Sequence, residues 1–231
     1  MKKGKALLIA AMLFLGNSWP WLPATARFTD SAQNPGNVFV TAIYFPKDFY
    51  LHDNPTPPTG NTSSQAVLPL DTNSPTAAAL YNYDQDRDAF TGLLIAKGAS
   101  GVGETDLTKY QAWRSSSLSG GQGLTGTVTV ELWTAIRDFG QNQAGEVTVF
   151  LRDYNGSTYT EIGSGTLYQA NWQGGSSTWV KKTITVSGLS YTIPAGNRLE
   201  VKVIVGNSAG DDMWFAYDTT TYASVVKVPI T

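Results

Sequence analysis

The chain has 231 residues, with 16 basic and 18 acidic side chains, a formal net charge of −2, one histidine and no cysteine. Phosphate recognition needs a clustered basic surface, and past the N-terminal region the one tight basic pair is Lys181-Lys182, so nucleic acid is excluded as a partner. Disulfides and thiol chemistry are excluded outright, and a single histidine cannot build a His-rich zinc site.

Lys2, Lys3 and Lys5 precede an apolar run over residues 6–16 and a small-residue ending, Ala24-Thr25-Ala26. Charged, apolar and small segments in that order form a secretory signal, with cleavage expected after Ala26. The apolar run, at about 11 residues, falls well short of the roughly 20 that a spanning helix needs, and Pro20 and Pro23 would break a longer one. The expected product is secreted or held at the cell surface, with no membrane span.

Residues 27–53 read as an N-terminal segment with one strand at 37–45, where β-branched and aromatic residues concentrate. Residues 54–64 are rich in proline and threonine, and Pro57-Pro58 favours extended geometry, so they read as a linker or crossing loop. From 65 to 231 short runs recur between turn residues, at 66–70, 79–83, 92–97, 110–115, 126–135, 146–153, 166–172, 179–186, 198–205, 213–217 and 222–228. Several alternate: Val128, Val130 and Leu132 point one way and Thr127, Thr129 and Glu131 the other, as expected of strands with one buried face. Asn155-Gly156 suits a two-residue hairpin turn. The whole reads as an all-β antiparallel sandwich, a jelly roll ahead of an immunoglobulin-like arrangement, which lacks its cysteine pair.

The stretch Phe28-Thr29-Asp30-Ser31, followed by Asn34, Gly36-Asn37 and Phe39-Val40-Thr41-Ala42, resembles the start of exported proteins of the TasA and camelysin type, which SipW-like signal peptidases process. The ending Ile43-Tyr44-Phe45 departs from that group's Gly-x-Leu. The body is similar, more loosely, to uncharacterised bacterial secreted β-rich domains. The resemblance implies export. Since fibre subunits occur in the group, it also implies that residues 27–45 can pair with a neighbouring copy's sheet, against the plainer reading that they pair within their own.

Candidate chemistry is sparse. Asp84, Asp86 and Asp88 place three carboxylates at alternate positions, an oxygen cluster of the kind calcium takes, with Asp218 able to close the site if the chain ends meet. The alternative is a solvated turn offset by Arg87. Trp133 shares a strand face with Thr127, Thr129 and Glu131, and Trp172 and Trp179 flank a Gly/Ser-rich stretch, so these three are candidates to stack on a sugar ring, against the plainer reading that they fill the core. No pair of carboxylates is marked out for glycoside hydrolysis, and nothing marks His52 as a base. The sequence therefore points to a non-enzymatic structural or adhesive protein at the cell surface or in a matrix, self-associating through 27–45 or binding polysaccharide. A carbohydrate-binding module is the alternative, an extracellular hydrolase the least favoured, and structural calcium the one candidate cofactor.

Overall fold

The computed structural model describes residues 46–53, 67–77, 93–137, 143–172 and 179–229. All fall within the compact unit Ala42–Thr231. The expected signal segment, the strand expected at 37–45, the expected linker 54–64 and the Asp84–Asp88 run lie outside the described residues.

The described elements are eleven strands: β1 (Pro46–Leu51), β2 (Leu68–Asp71), β3 (Leu93–Ile95), β4 (Tyr110–Ser115), β5 (Gln122–Ile136), β6 (Gly145–Tyr154), β7 (Tyr159–Gln169), β8 (Val180–Ile193), β9 (Arg198–Val205), β10 (Met213–Ala216) and β11 (Val225–Pro229). The all-β expectation holds. Hydrogen bonding, however, joins all eleven into one sheet rather than two, in the order β3-β10-β5-β11-β1-β2-β4-β9-β6-β7, with β8 paired to β5. All strand pairings are antiparallel except β2 with β4. β1, from the segment expected to stand apart, sits inside the sheet between β11 and β2.

Period-two alternation drives the burial. Val128, Val130 and Leu132 of β5, Val147, Val149 and Leu151 of β6, and Leu199, Val201, Val203 and Val205 of β9 meet in one core with Phe49, Leu51, Trp113, Phe215 and Val226. Each such side chain stabilises the fold by about 1.5–3 kcal/mol on removal from water. Because residues from both ends of the sheet share this core, the sheet curls over it.

Glycines explain where the observed strands outrun the expected ones. β5 and β8 extend past Gly126 and Gly188, whose φ angles of +96° and +73° are open to glycine and costly to other residues. Their pairing shifts register between Gly126 and Val128, so residues that look like breaks form a bulge inside one long ribbon. β7 begins well before residue 166 because Gly163 and Gly165 lie inside it. A Cβ on Gly165 would collide with the Thr185 carbonyl, and one on Gly163 with Leu189, so these glycines let β8 pass close over β7. The hairpin tip differs too. Tyr154 pairs with Tyr159, leaving a four-residue loop in which Asn155 Oδ1 accepts the Ser157 and Thr158 amides, both at 2.9 Å.

Candidate functional site

Of the three tryptophans expected to bind a ligand, the structure removes one from consideration. Trp172 is buried, and its Nε1–H donates to Thr134 Oγ1 at 2.8 Å. Its ring lies against Gly145, where any Cβ would collide with it, and the Lys182 ammonium sits 4.8 Å from the ring centroid. It is a core residue. Trp133 and Trp179 are half-buried and meet through a third ring: Tyr222 stands edge-on to Trp133 at 5.3 Å and tilted to Trp179 at 5.9 Å.

Tyr222 belongs to the 217–224 connection between β10 and β11, which also carries Asp218. Asp218 bonds the chain that follows β1. Its Oδ1 lies 2.6 Å from His52 Nδ1 and its Oδ2 accepts the Asp53 amide at 2.9 Å. Its φ of +58° is unusual for a residue other than glycine and stores strain. The far end of the connection is pinned by Ser224, whose hydroxyl donates to the Ala216 carbonyl at 2.7 Å and accepts the Trp133 amide at 3.1 Å. Three residues singled out in the sequence, Trp133, Trp179 and Asp218, thus gather around one short segment, together with His52 and Tyr222.

His52 is half-buried between acceptors. Its Nδ1 faces Asp218, while Nε2 faces the Asn73 carbonyl at 3.0 Å and Asp71 Oδ1 at 3.1 Å. The hydrogen bond to Asp218 raises its pKa, burial opposes this, and the charges of Asp218 and Asp71 add to the rise. With acceptors at both nitrogens, the favoured species is the imidazolium donating on both sides. A general base must keep one nitrogen free for the proton it abstracts. Among the described residues no hydroxyl is bonded to either ring nitrogen, so His52 as placed holds chain segments together rather than activating a nucleophile.

A second polar cluster, unmarked in the sequence, lies on the outward face of β4, β9 and β6. Glu200 is fully buried between two arginines: Arg114 NH2 lies 2.6 Å from its Oε2, and Arg152 bonds its Oε1. The guanidinium of Arg114 stacks 3.7 Å from the Tyr154 centroid, and that of Arg152 lies 4.1 Å from Tyr159. Beside them Lys202, 2% exposed, donates to the Val102 and Glu104 carbonyls at 2.9 and 2.6 Å; burial, helped by the Arg152 charge, lowers its pKa to about 8. The Glu104 carboxylate closes the covering loop by accepting the amides of Ser100, Asp106 and Thr105 at 2.7, 2.8 and 2.9 Å, which lowers its pKa to about 2. Alternation with Leu199 and Val201 puts Glu200 on the face away from the main core, and no signal in one strand shows that two arginines from neighbours will land opposite it.

No protein-family profile matches this chain, and no curated protein matches it. Its fold does match solved structures. An aminopeptidase from a marine sediment Thaumarchaeota archaeon aligns at 12% identity with a TM-score of 0.55, over 81% of this chain and 37% of that one. An α-amino acid ester hydrolase aligns at 11% identity and 0.53, over 80% and 36%. A CocE/NonD family hydrolase from Staphylococcus aureus aligns at 12% and 0.54, over 84% and 38%. At these identities the likeness is one of fold, and the chain spans little more than a third of the length of these hydrolases.

The functional expectation drawn from sequence is corrected by this likeness. A non-enzymatic structural or adhesive protein, with a carbohydrate-binding module as its alternative, gives way to a fold shared with hydrolases. The physical reason for the error is that wet-faced strands, scattered acids and several tryptophans belong to the fold itself and do not separate one use of it from another.

Proposed function

We propose that this protein works in hydrolysis, as the all-β part of a hydrolase of esters or peptides of amino acids, with the reacting groups carried by protein outside the described residues. The observation that supports this reading is the fold likeness over four-fifths of the chain to about a third of an aminopeptidase, an α-amino acid ester hydrolase and a CocE/NonD hydrolase. The 217–224 connection is the region assigned to the site, because a strained Asp218, the His52 imidazolium and the Trp133–Tyr222–Trp179 rings meet there. Export through the 1–26 signal, cleaved after Ala26, fits an enzyme that acts outside the cytoplasm.

The test is hydrolysis of α-amino acid methyl esters and aminoacyl anilides by the secreted protein and by any complex isolated with it. Tyr222→Ala is expected to lower kcat/KM about tenfold while leaving the melting temperature within a few degrees of wild type. The reading fails if neither the protein nor its complexes hydrolyse either substrate class.

A further inference from the structure

A sheet that ends must do something with its last strand, whose outward N–H and C=O groups are otherwise a template for another chain. The terminal strands of this sheet differ in how they meet that demand. β3 is three residues long. β8 carries Lys181 and Lys182, and it bends at Gly188, whose backbone is left-handed. β7 has eleven residues, with no lysine and no proline, and bonds to β6 on one side. Among the described residues the exposed large apolar side chains are Leu107, Tyr159 and Tyr168, and the two tyrosines, 44% and 53% exposed, stand at opposite ends of β7.

The β6–β7 register shifts between Leu151 and Arg152, and past that point residues 163–169 run as a regular, uncharged strand, Gly-Ser-Gly-Thr-Leu-Tyr-Gln. On the side away from β6 these residues make no main-chain hydrogen bond among the described residues. Their centre is Thr166, exposed and bonded through its hydroxyl to Thr148 at 2.8 Å.

We propose that β7 is an interaction edge that pairs antiparallel with β7 of a second copy of this chain, the two-fold axis passing beside Thr166. A second copy fits because the segment is complementary to itself. With Thr166 opposite Thr166, Ser164 stands opposite Tyr168 of the other copy, Gly165 opposite Leu167 and Gly163 opposite Gln169. Side chains that share a face in one strand share it in the pair, and each tyrosine covers a small residue. No charge faces a like charge, since the strand's one ionic side chain, Glu161, lies outside the paired window. The joined sheet is continuous across the axis, which makes the contact isologous and closed at two copies.

The experiment is sedimentation velocity on the chain from Arg27 onward, between about 10 µM and about 1 mM, a span suited to a small edge-to-edge contact. Wild type is expected to pass from monomer to dimer within that range. Thr166→Lys sets two ammonium groups opposite each other and Ser164→Lys places one against Tyr168, so each is expected to raise the dissociation constant about tenfold or more with little change in melting temperature. Because the chain has no cysteine, Thr166→Cys supplies a unique thiol, expected to cross-link rapidly with a short bis-maleimide where Ser190→Cys on β8 does not. A monomer throughout the range overturns the proposal. So does a dimer that survives both lysine substitutions, or one that disappears when residues 27–45 are removed, since that assigns the contact to the N-terminal segment.

Discussion

The polar clusters of this protein are held by two different kinds of structure. Glu200, Arg114 and Arg152 come from three adjacent strands, where antiparallel register sets Arg114 and Arg152 opposite Glu200 on either side. The His52 corner and the Glu104 loop are built from connections, in which a side chain reaches a backbone amide, a carbonyl or a carboxylate that another loop presents. A strand-built ion pair is fixed by the same hydrogen bonds as the sheet, whereas the loop-built groups draw their pKa shifts from bonds to connections.

The largest effect expected is at the strand-built cluster. Glu200→Leu leaves two largely buried guanidiniums without a counter-charge and should cost about 3–5 kcal/mol in urea unfolding. A loss below about 1 kcal/mol would show that water reaches the arginines and would erase the contrast with the loops.

Next comes Glu104→Gln, which removes the charged acceptor of three amides and should cost about 1.5–3 kcal/mol at neutral pH. The carboxylate's pKa is lowered from 4.5 to about 2, so its contribution is present above pH 4.5 and is lost as pH falls toward 2. Melts between pH 2 and 5 should therefore show an acid-side slope in wild type that is weaker in the variant. Equal slopes would mean that the covering loop opens before the carboxylate protonates.

The smallest effect is expected at His52. His52→Gln should cost about 0.5–1.5 kcal/mol at pH 6. Because the folded pKa is raised above 6.5, the stabilisation is fully present below pH 6.5 and fades as pH rises through the raised value. A wild-type melting curve that loses stability over that interval, beside a flatter His52→Gln curve, is the outcome sought. A difference that persists unchanged to pH 9 would mean that the neutral ring holds the corner equally well.

Much of the fold is legible from one chain because alternation is local: Val147-Thr148-Val149 or Leu199-Glu200-Val201 states its own inward face. The strands that ran longer than expected failed at Gly126, Gly163, Gly165 and Gly188. A glycine in a sequence reads as a break whether it ends a strand, makes a bulge or lets a neighbouring backbone approach. Site residues were harder to read. Trp172 and Trp133 carry the same side chain, and what separates core from half-exposed is the packing around each, Trp172 in the bend that follows β7 and Trp133 on β5. His52 had no marked neighbours because its partners, Asp71 and Asp218, are remote in sequence.

The sequence by itself determined the all-β class, the inward faces of the strands and the exclusion of disulfide and thiol chemistry, since these follow from side-chain period and residue type. Tertiary structure decided that one sheet curls over one core, that Glu200 sits between two arginines, that Asp218 serves His52, and that the fold is shared with hydrolases. Those facts depend on which strand lies beside which, and strand order is set by contacts between residues far apart in the chain, which local pattern does not encode.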